Sequence, residues 1–364
     1  MTHFKKVVTG VLALAMTFSL TACKDTTWAY QANDVTITSG MYLGMLVNSW
    51  QEALSKVTDS SADLWGQKIE EKDAAQWIKD SARQKAIDYV AVENQFKELK
   101  LSLTEEEKAE YTAAVDQQWT NYGSYFEENG CGKTSYTKLM ENQYKSSKLF
   151  DKYYKEGGIK AVSDADLKKH FKENYAKVKM IALPTTDSST GSALSDDEKK
   201  KVKTKAEGYL KRLKNGESID KINTEYQKEV SAASASSSSA STSSASSASG
   251  SDETKAVEAS IIKKGSGYPE KFETALFKAG NKAPFLVEED SFYIVAIRYD
   301  ILEDSKDFDT NKDSILTDLK GDEFEALVDE WGKAVKLTAN EAAVKRYDPK
   351  KLVDPNAQNA ANAL

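Results

Sequence analysis

Apolar residues along the chain follow two periods, and the period changes mark the elements. Val35-Thr36-Ile37-Thr38 alternates and is β-branched, which predicts a short strand behind the turn signal Asn33-Asp34. From Ser39 to about Lys160 the period is helical. Its clearest stretch is 73–99, where Ile78, Ala82, Ala86, Tyr89, Val92, Phe96 and Leu99 share one helix face. Thr104 and Glu107 have the spacing of a capping box and predict a new helix; 135–156, rich in Tyr, predicts the next. A different pattern begins at Ser163. A helix carrying His170 precedes a strand, Val178–Leu183, that Pro184 should stop. Ser195 and Glu198 form a second capping box, opening a Lys-rich helix that Asn215-Gly216 ends. A short helix holds Ile219, Ile222 and Tyr226. Then come a short strand at Ile261-Ile262, a helix over 272–278, a strand over 292–297 and a helix from about Thr310 to Lys333. Between them, 231–252 is almost wholly Ser and Ala, has no large apolar side chain to bury, and predicts a disordered loop.

This order predicts an α+β protein, a mostly helical domain with a small α/β domain inserted. The expected boundaries are 23–162 for the helical domain, 163–304 for the insert, 305–353 for a C-terminal segment that returns to the helical domain, and 354–364 for a disordered tail. The strand at Val35–Thr38 and the segment Ala334–Thr338 are each too short to stand alone, so they belong together in one domain.

Composition narrows the chemistry. The chain has 57 Asp+Glu against 50 Lys+Arg, with both signs mixed throughout, and so lacks the basic patch of a nucleic-acid binder. The two Cys, Cys23 and Cys131, are too few for a Cys-based zinc site, and of the two His, His3 is expected to leave with an N-terminal signal, so His170 alone remains and a pair of His ligands is excluded. No metal and no cofactor is expected. Gly132-Lys133-Thr134 looks like the end of a phosphate-binding loop, but Glu127 stands where that motif requires Gly. Five of the six Trp and ten of the seventeen Tyr precede residue 160, which suits either a packed aromatic core or a groove for unfolded polypeptide.

The start of the chain carries its own signal. Lys5 and Lys6 precede Val7–Leu20, uncharged and mostly apolar but shorter than the roughly 20 residues of a membrane span. Leu20-Thr21-Ala22-Cys23 follows, and this run resembles the lipobox of bacterial lipoproteins. The resemblance implies cleavage between Ala22 and Cys23, a diacylglyceryl group on the Cys23 thiol, and a mature chain held to the bilayer on the extracytoplasmic side. Two acyl chains give stable anchoring at about 0.8 kcal/mol per buried CH₂.

From Ala176 to Tyr299 the chain resembles a parvulin-type peptidyl-prolyl isomerase domain, with the best match in Ile262–Gly265, Pro269–Phe277 and Phe292–Val295. With the lipobox, the helical first part and the returning C-terminal helix, the whole resembles the PrsA-type foldase lipoproteins; the first part also resembles the chaperone domain of SurA. The resemblance implies a proline pocket formed by Met180, Tyr268, Phe272, Phe277 and Tyr293. It also implies that Met180 and Tyr293 stand at the two strand positions where the family carries His, so the family's polar cluster cannot form.

The leading expectation is therefore a membrane-anchored chaperone or foldase for unfolded or nascent secreted polypeptides, with little or no isomerase activity. An active peptidyl-prolyl isomerase, a solute-binding lipoprotein and a structural envelope lipoprotein are the alternatives. Replacing Cys23 with Ser should move the protein from the membrane fraction to the soluble one or leave an uncut precursor; membrane fractionation equal to that of the native chain would refute the lipid anchor.

Overall fold

The computed structural model describes residues 27–57, 59, 62–187, 190–237 and 257–353. Cys23 and the segment before it, most of the Ser/Ala run and the tail 354–364 lie outside the described residues. The protein is α+β with a mostly helical body. It divides into two compact units, one from the described residues of Met1–Ala161 and Lys320–Leu364, the other Val162–Leu319.

The first unit starts with β1 (Trp28–Ala32) and β2 (Val35–Thr38), joined by a turn in which Asn33 takes φ 52°. Helix α1 (Ser39–Lys56) follows at once, capped by the Thr38 hydroxyl on the Met41 amide. Twelve of its eighteen residues are buried, because it packs against α2 (Ala74–Glu98) and α4 (Lys133–Tyr154) and so is apolar around most of its surface. Gly44 permits the approach to α4: a Cβ there would lie 2.8 Å from Leu139 Cδ1 and 3.0 Å from Cys131 Sγ. Helix α3 (Glu105–Glu128) opens with the expected capping box at Thr104 and Glu107 and packs on α4.

Between α1 and α2 lies a hairpin that the sequence does not advertise, β3 (Lys68–Ile69) and β4 (Lys72–Asp73). Its turn residues Glu70 and Glu71 adopt φ 50° and 65°, a conformation normally given to Asn or Gly. The Glu70 carboxylate accepts the Trp77 Nε1–H at 3.1 Å, which helps hold the turn.

The last strand among the described residues, β9 (Thr338–Ala339), pairs antiparallel with β1, giving sheet order β2-β1-β9. The C-terminal segment thus shares a sheet with Val35–Thr38 across the intervening β1. Asn340 secures the join: its amide nitrogen donates to Trp28 O at 3.1 Å and its backbone N–H to Ala29 O at 2.8 Å. Its side-chain oxygen also caps the short helix Glu341–Arg346 by accepting from the Ala343 N–H at 3.3 Å.

The second unit opens with α5 (Asp164–Asn174) and β5 (Tyr175–Pro184). Helix α6 (Asp196–Lys214) has the expected capping box at Ser195 and Glu198. Helix α7 spans Ile219–Ser237 and corrects the expected loop boundary, since 231–237 continues the helix. Ala is the best helix former, and adding residues to an existing helix avoids the cost of nucleation. The strands β6 (Ser260–Lys263), β7 (Pro284–Glu288) and β8 (Phe292–Tyr299) complete an antiparallel sheet of order β6-β5-β8-β7, with α8 (Glu270–Lys278) between β6 and β7. Strand β7 is an addition to the sequence reading. Pro184 does not stop the ladder at once either, because Thr185 N still donates to Ser291 O at 2.8 Å.

Helix α9 (Ser305–Gly332) starts before Thr310 and contributes to both units: residues to Leu319 group with the second and the rest with the first. Asp318 ties its first part to the sheet. The carboxylate accepts from His170 Nε2 at 2.7 Å and Tyr175 Oη at 3.0 Å, and it pairs with Lys263. Burial pushes this carboxyl up, but the bonds from Lys263, His170 and Tyr175 outweigh burial and hold it below its ordinary 3.8. A depressed folded-state value means the stabilisation is present above 3.8 and is lost as pH falls through the folded value. Asp318→Asn should cost about 1–3 kcal/mol at neutral pH, since it strands two half-buried donors. In denaturant unfolding the gap between the native chain and the variant should close in acid; a gap that stays constant would show that the carboxylate charge is irrelevant.

Candidate functional site

The four-stranded sheet is covered on both faces, and the strand alternation sorts its side chains. On one face Ile181, Leu183, Tyr293 and Val295 pack against Ala206, Tyr209 and Leu213 of α6 and against Ile219 and Ile222 of α7. On the other, Ala176, Val178, Ile294 and Ala296 pack against Phe272 and Leu276 of α8, with Met180, Phe277, Phe285 and Phe292 partly buried around them.

This sorting separates the residues expected to line one pocket. Met180, Phe272, Phe277 and Tyr268 are together on the α8 face; Tyr293 is on the other. The register explains it. Met180 lies opposite Ala296, whereas Tyr293 lies opposite Leu183, three residues along β5, an odd step that reverses the face. Met180 and Tyr293 therefore do not form a facing pair, whatever side chains they carry. Tyr293 is 6% exposed, and its hydroxyl donates to Glu288 Oε1 at 3.0 Å beside a cavity of about 480 Å³ that Lys199, Lys271 and Asp290 also line. Burial, then the bond to Glu288, raises the tyrosine's pKa, so it stays a neutral phenol.

The α8 face is built around Phe272, which is fully buried. Tyr268 lies over it with ring centroids 5.6 Å apart and a tilt of 41°, and Phe285 follows at 6.2 Å. Tyr268 remains 37% exposed and is the solvent edge of the stack. Phe277 plays a different part. Lys264 Nζ lies 5.9 Å and the Arg298 guanidinium carbon 6.0 Å from its ring centroid, so cations occupy its surroundings.

Both ends of α8 are held by charges from the β7–β8 hairpin and its strands. Glu289 Oε1 accepts from the Phe272 N–H at 3.1 Å near the helix start. At the other end Arg298 Nη1 donates to the carbonyls of Phe277 and Ala279, each at 3.1 Å. A carboxylate at the positive end and a guanidinium at the negative end both favour the helix dipole. The result fixes Phe272 and leaves Tyr268 as the adjustable element. The arrangement offers apolar and aromatic contact but no nucleophile and no paired acid and base. Sequence reasoning missed Phe285 and Glu289, which lie on and just after the strand it did not detect, and Arg298, one residue past the expected end of β8.

Tyr268→Ala should leave unfolding free energy within about 0.5 kcal/mol of the native value, as for exposed positions generally, whereas Phe272→Ala should cost about 3–5 kcal/mol. Denaturant titration of the two variants checks this; equal losses would mean that Tyr268 is part of the core and not its rim.

No protein-family model matches the sequence, and no curated protein matches it. Several solved structures are similar to it. The foldase protein PrsA from Lactococcus lactis is 14% identical over 87% of this chain and 96% of that one, with a TM-score of 0.37. The foldase protein PrsA from Streptococcus pneumoniae is 13% identical over 78% of this chain and 97% of that one, with a TM-score of 0.36. A peptidylprolyl isomerase, PrsA from Bacillus anthracis, is 15% identical over 72% of this chain and 96% of that one, with a TM-score of 0.26.

Proposed function

We propose that this protein is a folding factor that holds unfolded or nascent secreted polypeptides, tethered by a lipid on Cys23 to the extracytoplasmic face of a bacterial membrane. Its sheet unit binds clients and turns their prolines slowly or not at all. The observation that carries this reading is the α8 face: a buried Phe272 under a partly exposed Tyr268, with a thioether, Met180, beside them in place of titratable groups. The anchor rests on the sequence from Leu20 to Cys23. No helix among the described residues is long and apolar enough to cross a membrane, which is compatible with attachment through lipid.

The weak catalysis follows from magnitudes. Rotation about X–Pro has a barrier of about 18–20 kcal/mol. Lowering it needs tighter binding of the twisted amide than of either planar form. Losing one well-placed polar stabiliser costs other enzymes roughly 2.7–4 kcal/mol. Met180 offers only a weakly accepting sulfur, and Tyr293 lies on the opposite face. An apolar surface alone favours the less polar twisted amide only slightly, and so small a difference in binding accelerates the step little.

Two assays on the full chain test this. Aggregation of a denatured client should fall in its presence, while isomerisation of a proline peptide should stay near the buffer rate. Rapid isomerisation that Tyr268→Ala abolishes would restore the active-isomerase alternative. Absence of both activities would favour a solute-binding or structural role.

A further inference from the structure

Strand β7 is an edge of the four-stranded sheet, and its backbone is paired on one side only. Antiparallel ladders alternate closely and widely spaced pairs, so one bond fixes which residues of a strand face its partner. At the hairpin turn Glu289 N donates to Phe292 O at 2.9 Å, which makes Val287 with Ile294 and Phe285 with Ala296 the hydrogen-bonded pairs. Leu286 and Glu288 alternate with them and aim their N–H and C=O groups away from β8; Pro284 aims its C=O the same way. None of these outward groups has a hydrogen-bond partner among the described residues.

Folded proteins blunt such edges, because a bare row of donors and acceptors is a template for another extended chain. The opposite edge, β6, ends in Lys263, whose carbonyl already accepts from the Ser266 N–H at 3.3 Å and hydroxyl at 2.6 Å. Edge β7 holds no Lys, no Gly and no break in its register; Pro284 removes the outward donor at its first residue only. The side chains beside the row are apolar on both faces. Phe285 and Val287 belong to the α8 face, where Phe285 extends the Tyr268–Phe272 stack, and Leu286 belongs to the α6 face. Phe285 and Leu286 are each only half-buried, while Ala296 and Val295 opposite them on β8 are at 0% exposure. Two half-exposed apolar side chains on opposite faces of one strand, beside fully buried partners, put the opening at the edge itself.

We infer that the β7 edge is a docking site for an extended segment of client polypeptide, which adds to the sheet as a fifth strand. The inference rests on the folding-factor reading and names how the sheet unit grips its client. Leu286 and Glu288 bond the client's backbone, so affinity does not depend on one sequence. Alternation in the added strand puts one client side chain beside Phe285 and the next beside Leu286, so the favoured segment has consecutive apolar or β-branched residues. A folded protein buries such runs and an unfolded one exposes them. A Pro within the run lacks the N–H that the Leu286 carbonyl would accept.

The test uses the full chain and a labelled peptide of alternating Val and Thr flanked by Lys. Its control is the same peptide with two adjacent central amides N-methylated, which spoils both of its edges. Fluorescence anisotropy should show the unmodified peptide binding roughly tenfold more tightly than the methylated one. Leu286→Pro removes an outward N–H without touching a bond to β8, and it should lose a similar factor. Leu286→Lys, which keeps the N–H but sets a charge on the edge, is the second variant if the Pro variant melts below the native chain. Amide exchange at Leu286 and Glu288 should slow when the chain is saturated with peptide. Equal affinity for the two peptides, unchanged affinity in both Leu286 variants, or unchanged exchange at these amides overturns the site. A concentration-dependent dimer that Leu286→Pro dissociates overturns it too, because a second copy then supplies the added strand. If the site fails while the native chain still suppresses client aggregation, the folding-factor reading stands without it; if the peptide binds the edge but aggregation is not suppressed, that reading fails and the site stands.

Discussion

Helix α9 must satisfy two cores with one continuous backbone. Its early residues Phe308, Ile315 and Leu316 are buried in the second unit, where Phe308 meets Phe171 at 6.2 Å. Its later residues Phe324 and Trp331 meet Tyr154 and Tyr153 of the first unit. Phe308 and Phe324 are sixteen residues apart, which at 3.6 residues per turn puts them roughly 160° apart around the helix. The apolar stripe therefore changes side along the helix. Within the second unit, a shift of one residue would pull Asp318 away from His170, Tyr175 and Lys263 and unseat Phe308 from Phe171.

The candidate site shows how a small domain can fix an aromatic surface through backbone and charge contacts alone. The opposed charges of Glu289 and Arg298 fix α8, and α8 fixes Phe272. Nothing in that chain of support requires a titratable side chain on the surface itself. The Tyr268 ring stacks on Phe272 with one edge in water, a disposition that tolerates varied partners because aromatic contact is broad and only weakly directional. A surface of this kind discriminates poorly among apolar segments, which would suit the client holding proposed above.

Much of the fold is legible in the sequence because local signals agree with the tertiary result. Thr104 with Glu107 and Ser195 with Glu198 both form the reciprocal capping bonds that their spacing implies. The failures have physical causes. Glu70 and Glu71 make a turn with residues that seldom adopt positive φ, so the hairpin around them has no local signature. Strand β7 is five residues long and begins on Pro284, which has no N–H to give a ladder. The start of α9 is obscured because its stripe rotates. The separation of Met180 from Tyr293 could not be read at all: both strands are covered on both faces, their apolar runs are nearly continuous, and only the inter-strand register decides which face each side chain takes.

The pairing of β9 with β1 makes the first unit a closed loop in sequence. Its sheet joins residues near 30 to residues near 339, and Asn340 bonds directly to Trp28 and Ala29. A chain that emerges from its N-terminus, at about 5–20 residues per second during synthesis, can thus assemble the contiguous second unit while the first still lacks its third strand. The residues closest to Cys23 are among the first to appear and among the last to reach their final pairing. Until Thr338 arrives, β1 has one bare edge, the kind of edge that pairs readily with any extended chain nearby. The protein is thus exposed, for as long as its own ending is delayed, to the same hazard it is proposed to relieve in others.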